Sequence, residues 1–367
     1  MSLSRRKMLG VVGGGFILAA GGAGGFYLTR EPKNALAPWE AAGHYEDPRR
    51  RALSYAILAP NPHNRQPWLV DLSQPDQVHL YRDPDRDLPE TDPHHRQLTI
   101  GLGCFLEVMR VAAAEAGIAA EITPFPEGEN GPVAIAHFQE GAQKDPLFHH
   151  ILQRRSCKEP FEDRQIPAEA APALAALAAI VTDPDRVSEI RALTLESWLV
   201  EMSTERTLKE SVELMRFGKT EINRSPDGID LGGPFLETLM LFGMLTRDGQ
   251  LDPDSAGFQE GVRMYQEMLS ATPAYAVVTT KGNDRLAQLD AGRRWVRLNL
   301  ETTRFGLALH PVSQALQEFP EMSDHYRRVH ALLAPDGGTV QMLGRLGYGP
   351  AVPRSPRWPL ETRIRNG

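Results

Sequence analysis

The sequence predicts an α+β protein made of two pseudo-repeated halves, the second carrying a helical, lid-like insertion. Three observations predict it. Trp68-Leu69-Val70-Asp71-Leu72 and Val78-His79-Leu80-Tyr81 flank Gln74-Pro75-Asp76, the pattern of a β-hairpin. Gly103 to Gly117 (GCFLEVMRVAAAEAG) and Gly292 to Gly306 (GRRWVRLNLETTRFG) are helical stretches with the same punctuation, each glycine pair 14 apart. Leu106 matches Trp295, Met109 matches Leu298 and Val111 matches Leu300, and each stretch ends on a glycine that suits a helix C′ position. Chance similarity between two amphipathic helices is the competing reading. Third, residues 190–270 have no counterpart in the first half.

The N-terminus comes first in the chain and differs from the rest. Arg5-Arg6-Lys7 precedes a weakly apolar, glycine-rich run from Leu9 to Leu28, which resembles a twin-arginine (Tat) export signal. A Sec-type signal, an uncleaved span and a glycine-rich phosphate loop are the alternatives; no strand precedes Gly13-Gly14-Gly15, as a phosphate loop needs. Ala35-Leu36-Ala37 has the form of a cleavage site, but Pro38 follows it directly. The expectation is a protein exported by the Tat machinery, either periplasmic or tethered through residues 9–28 and facing the exterior. Residues 1–37 are then signal and linker, with polar linker continuing to Tyr45.

The first half spans 46–145: a helix from Asp47 to Leu58, the hairpin, a helix from Arg96 to Ala116, and a strand at 132–138. The second half spans 146–367, with helices over 168–181 and 188–216, a loop at 224–235 and further helices to Leu269. It ends with a strand at 274–280, a helix from Asp290 to Phe305 and an extended tail at 347–357. Composition bounds the function: 41% hydrophobic and 24% charged residues in 367 describe a soluble globular chain. The net charge of -7 weighs against a nucleic-acid partner, yet allows a small anion at a local arginine cluster. Cys104 and Cys157 alone make neither a disulfide scaffold nor a metal cage.

Two motifs carry chemistry. Residues 60–68, PNPHNRQPW, place Pro60, Pro62 and Pro67 around His63, Asn64, Arg65 and Gln66. So many prolines exclude a helix interior and a central strand, leaving either a stiff polar platform or a surface turn. In RRSCKEPF, Arg154, Ser156 and Lys158 alternate, so an extended segment puts two cations and a hydroxyl on one side, the make-up of an anion site; a solvated basic stretch is the alternative. His94-His95 and His149-His150 lack metal-ligand spacing, Asp83, Asp85 and Asp87 lack a calcium loop's glycine and glutamate, and no G-x-S-x-G elbow occurs. No metal is expected.

Together, P-H-N-x-Q-P-W, R-x-S-x-K followed by Phe161, and the terminal P-x-S-P-R resemble the nitroreductase-like flavoprotein superfamily. The nearest likeness is to its Acg-type FMN-binding oxidoreductase branch. The resemblance runs from about Pro48 to the C-terminus and is weakest over 190–270. It implies a monomer imitating the family's dimer, with one FMN held non-covalently between the halves. Asn64 and Gln66 would touch the isoalloxazine or ribityl region, with Pro62 and His63 beside them. Arg154, Ser156 and Lys158 would meet the ribityl-phosphate and pyrimidine side, Arg354 and Arg357 the phosphate, and His310-Pro311 would lie near the ring. No catalytic side chain is implied, because the flavin N5 atom carries hydride or electrons from a small-molecule donor to a nitroaromatic, quinone or similar acceptor. The contrasting implication is a flavin-sequestering protein whose pocket the insertion closes.

Overall fold

The structure is a computed structural model and describes residues 29–365. The expected leader and tether, residues 1–28, lie outside them. In the first half, β1 (Trp68–Asp71), β2 (Gln77–Arg82), β3 (Ile118–Pro124) and β4 (Ala134–Glu140) form an antiparallel sheet in the order β1-β2-β4-β3. In the second, β5 (Ala179–Val181), β8 (Ala274–Thr280), β9 (Ala308–Pro311) and β10 (Thr339–Gly347) form an antiparallel sheet in the order β5-β8-β10-β9. Counted within each sheet, the two orders are the same. In both, one long helix joins the second strand to the third: α3 (Arg96–Glu115) in the first half and α11 (Arg285–Arg304) in the second.

These two helices pack against each other, and the predicted glycines explain how. A Cβ added at Gly103 would fall on the carbonyl oxygen of Leu289, and one at Gly292 on that of Ile100 and 2.9 Å from Cys104 N. Only glycine lets the two backbones meet there. Leu106, Met109, Val111, Trp295, Leu298 and Leu300 are all buried, as their matched spacing predicts. Gly117 and Gly306 both adopt positive φ, +76° and +69°, at the two helix ends. Across the seam Arg297 Nη1 donates to Glu107 Oε1 at 2.8 Å and to Asp145 Oδ2 at 2.7 Å. One continuous core takes residues from both sheets and both helices. Residues 96–115 are apolar and long enough to cross a membrane, but are buried inside the fold, as a core helix is.

The insertion follows β5: α5 (Pro184–Ser203), α6 (Glu205–Glu213), β6 (Met215–Phe217), α7 (Gly218–Arg224), β7 (Ile229–Leu231), α8 (Pro234–Leu241), α9 (Arg247–Leu251) and α10 (Ala256–Ser270). It covers the second sheet's outer face. Val187, Ile190 and Leu193 of α5 pack with Tyr275 and Val277, while Ala274, Ala276 and Val278 face the central core. With both faces covered, β8 reads as a continuous apolar run, whereas the half-exposed strand β2 alternates.

Several expectations need correction. The supposed linker contains a helix, α1 (Lys33–Ala41), because Trp39 is buried and its indole N–H donates to Ser355 O at 2.8 Å. The alanine-rich stretch at 168–181 is a short helix, α4 (Ala171–Ala175), followed by β5: pairing with β8 overrides propensity. The helix expected over 188–216 begins at Pro184 and breaks at Thr204. The loop at 224–235 holds β7, which pairs in parallel with β6. Strands β3 and β10 and helix α12 (Ser323–Leu333) were not predicted. Helix α2 (Pro48–Ala56) fits its prediction, capped by Asp47. Both cysteines are free and buried.

Gly103→Ala and Gly292→Ala should each cost at least about 2 kcal/mol, because the added methyl meets backbone rather than a movable side chain. Urea unfolding checks this; wild-type stability in either variant contradicts the crossing. A second expectation concerns pH. Glu201 of α5 is buried, accepting from Gln317 Nε2 at 3.0 Å and Ser211 Oγ at 3.2 Å, and burial pushes its pKa up to about 7. The folded state therefore holds a proton that the unfolded chain releases near the ordinary value of 4.5, so this contribution is complete below that pH and is lost as pH rises through about 7. Glu201→Gln should flatten a fall of up to roughly 3 kcal/mol between about pH 5 and 8. An unchanged slope in thermal melts would place the titration elsewhere.

Candidate functional site

The proline loop is a strained frame. His63, Asn64 and Gln66 take positive φ values of 46°, 52° and 53°, which cost non-glycine residues energy unless their surroundings hold them. The supports are visible. Asn61 Oδ1 accepts from Gln66 N at 2.7 Å within the loop. Asn64 Nδ2 donates to Pro356 O at 3.1 Å, and its Oδ1 accepts from Arg357 Nη1 at 2.6 Å. Gln66 Nε2 donates to Pro226 O at 2.6 Å, and its Oε1 accepts from Trp358 N at 2.9 Å. The loop is thus tied to the C-terminal tail on one side and to the insertion on the other.

This changes the expected roles. Gln66 is fully buried with both ends of its amide occupied, so it acts as a strut, and a direct ring contact is not supported. Arg154 does not share the accessible side of its segment. It is buried, donating to Asn299 Oδ1 at 3.0 Å and Leu58 O at 2.9 Å, while Ser156 and Lys158 are exposed and Cys157 turns inward. Arg357 is buried too, donating to Leu58 O and Ala59 O at 3.1 Å and to Ser355 Oγ and Pro356 O at 2.9 Å. Arg154 and Arg357 therefore converge on the carbonyls just past the C-terminal end of α2, the negative end of its dipole. Burial lowers their pKa values to about 10 and about 9, each further depressed by a neighbouring guanidinium. Both stay cationic at neutral pH.

Trp39 gathers more charge. Arg155, Arg354 and Arg357 lie over its ring at 4.9, 5.6 and 5.8 Å, and among them Arg354 pairs with Glu40. The Nε atoms of Arg155 and Arg357 are buried without a hydrogen-bond partner among the described residues.

The polar side of the site is marked by Lys158. Its charge bears on His63 of the loop, His310 of β9 and Asp230 of β7, which brings both halves and the insertion to one place. His63 is half-buried, and burial, then Lys158 and Arg65, lower its pKa to about 4, so the ring is neutral. Asp230 is accessible to solvent, yet burial raises its pKa against the pull of Lys158. Pro311 ends β9 beside His310, paired with Gly344. Arg155, Asp230 and Trp39 escaped the sequence reading: Arg155 occupies the variable position of its motif, and the other two lie in the presumed linker and insertion. A cavity of about 230 Å³ lined by Arg30, Phe217, Lys219, Glu237 and Met240 shares no residue with this convergence.

The chain is 25% identical over 331 residues, 86% of its length and 90% of the relative's, to a protein of Mycobacterium tuberculosis named "Putative NAD(P)H nitroreductase". Another protein of that organism, named "Putative NAD(P)H nitroreductase acg", is 33% identical over 120 residues, 31% of this chain and 36% of the relative. These relatives support a nitroreductase-like family. No family model matches the chain. Among solved structures, the FMN-dependent nitroreductase NfnB from Mycobacterium smegmatis, in complex with NADPH, aligns with a TM-score of 0.37 at 17% identity, over 60% of this chain and 96% of that one.

One carboxylate fastens the insertion to the proline loop. Asp227 accepts from Arg65 at 2.9 Å, Arg216 at 3.1 Å, Ser225 Oγ at 2.6 Å and also Arg86. Burial would raise its pKa, but the Ser225 hydroxyl and the Arg86 and Arg216 charges outweigh this and hold it below the ordinary value. Asp227→Ala should cost about 3–5 kcal/mol, since it leaves three guanidinium groups without their shared partner. It should also speed proteolysis within 224–233. A stable, protease-resistant variant would show that the fastening is redundant.

Proposed function

We propose that the chain is an FMN-dependent oxidoreductase of nitroreductase type, its single flavin site lying between the two halves. The observation that carries this reading is the convergence of Lys158, His63, His310 and Asp230, with the Arg155, Arg354 and Arg357 cluster at Trp39 joined to it through Arg357 and Asp230. The donor set suits the cofactor: Arg155, Arg354 and Arg357 would hold the phosphate, with Ser156 and Lys158 along the ribityl chain and pyrimidine edge. His63 and Pro62 would wall the ring, and Pro311 would lie near it. FMN supplies hydride and electron transfer when bound. The chain's own part is electrostatic and steric. Lys158 would place a positive charge near the ring as reduction adds negative charge, neutral His63 can donate or accept without adding charge, and the strained loop holds His63 in a fixed position. Asp230, with its raised pKa, could hold a proton beside Lys158.

The names of the relatives favour NAD(P)H as donor; a quinol remains consistent with an exported protein, and a nitroaromatic or quinone would be the acceptor. The twin arginine and the apolar run to Leu28 support Tat-type export, with the chain periplasmic or tethered through residues 9–28. The shared strand order supports an internal duplication, so that one chain imitates a dimer. A second reading, flavin sequestration with little turnover, draws on the ties from Pro226, Asp227 and Gly228 of the insertion to Gln66, Arg65 and Asn64.

The test is spectroscopic. Purified full-length protein should be yellow or take up FMN, and anaerobic NADPH should bleach it, with colour restored by a nitroaromatic or quinone. Lys158→Ala should weaken FMN binding about tenfold or more, the loss of a charge-assisted contact. Colourless protein that refuses FMN overturns the proposal. Yellow protein bleached by dithionite but not by NADPH or a quinol favours sequestration.

A further inference from the structure

Arg345 is fully buried and has no carboxylate among its partners in the described residues. Its Nε donates to Thr272 Oγ1 at 2.8 Å, its Nη2 to Glu159 O at 3.2 Å, and its guanidinium lies over the Phe161 ring at 4.1 Å. The remaining contact is Nη1 to Nδ1 of His310, at 3.3 Å. The two residues are direct partners in the β9–β10 ladder, so their side chains leave the sheet on one face. His310 is 4% exposed.

A guanidinium has only donors, so this contact is a hydrogen bond only if Nδ1 offers a lone pair. The ring proton must then sit on Nε2. An imidazolium would set N–H against N–H beside a buried cation. The charged groups bearing on the ring are Arg345 from β10 and Lys158 from the 154–160 segment, both cations; Tyr265 of α10 and Tyr275 of β8, near Arg345, are kept neutral by burial. Nε2 has no hydrogen-bond partner among the described residues, and it is not among the enclosed atoms that lack one, so it meets accessible space.

We propose that Arg345 is a positioning residue of this site: by donating to His310 Nδ1 it presents an uncharged imidazole, with the N–H on Nε2, as a fixed donor to an acceptor oxygen of the planar ligand beside Lys158. The identity of that ligand rests on the flavin reading; the tautomer does not. Arg345 would act through His310, donating to Nδ1 where a carboxylate that orients a catalytic histidine accepts from it.

The test reads the ring directly. Full-length protein with ¹⁵N-labelled imidazoles, with and without FMN, should show His310 with Nδ1 bare and Nε2 protonated, without titration between about pH 5.5 and 8. Arg345→Lys keeps a donor and should keep the tautomer, whereas Arg345→Met should let the tautomers exchange. Arg345→Met and His310→Phe should each weaken FMN binding severalfold, and the double variant no more than either alone. A proton on Nδ1, titration of wild-type His310 in that range, or an unchanged ring in Arg345→Met overturns the proposal. If Arg345→Met does not fold, the wild-type and Arg345→Lys spectra decide. The expected tautomer in a protein that refuses FMN supports the positioning and counts against the flavin reading.

Discussion

The close crossing of α3 and α11 is the contact on which the rest of the structure depends. With glycine at positions 103 and 292 the two backbones meet without side chains between them. That approach fuses the two halves into one core, with a sheet on either side. It also fixes the end of α2 against the 154–158 segment, since α2 packs on α3 while Asn299 of α11 binds both Arg154 and the Arg155 carbonyl. The convergence of loop, segment and tail follows from this geometry. A one-methyl change far from Lys158 would therefore be felt at the site.

Buried arginine is the second theme, and the partners differ with purpose. Arg65, Arg86 and Arg216 share Asp227, a fastening in which one carboxylate serves three cations and the insertion is held. Arg154 and Arg357 instead donate to carbonyl oxygens near a helix C-terminus, and Arg345 to a hydroxyl, a carbonyl and an imidazole. Backbone partners meet the hydrogen-bonding need but leave the positive charge in place. The region around Lys158 and Trp39 is consequently electropositive in a chain whose net charge is -7. Such a field suits a ligand that carries a phosphate and gains electrons.

Much of this was legible in the sequence where a local rule acts alone. The matched glycines and buried stripes of 103–117 and 292–306 predicted the central helices, and prolines 60, 62 and 67 predicted a rigid loop. Side-chain direction was less legible. Alternation placed Arg154 with Ser156 and Lys158, but the Leu58 and Asn299 acceptors draw Arg154 inward. Asn64 and Gln66 read as ligand contacts, whereas the positive φ angles around them demand supports that only the distant 226–228 and 356–358 segments provide. Long-range pairing hid the rest: β5 lies in an alanine-rich stretch that favours helix, and α1 depends on the burial of Trp39. Arg345 carried no motif at all. Its role emerges from its ladder partner across β9 and β10.

The most direct measurement is a crystal structure of the full chain grown with FMN. The account predicts one ring per chain, bounded by His63 from the first half and Lys158 from the second, with the phosphate near Arg155, Arg354 and Arg357. A ring bound within one half alone, or bound away from Lys158, would contradict it.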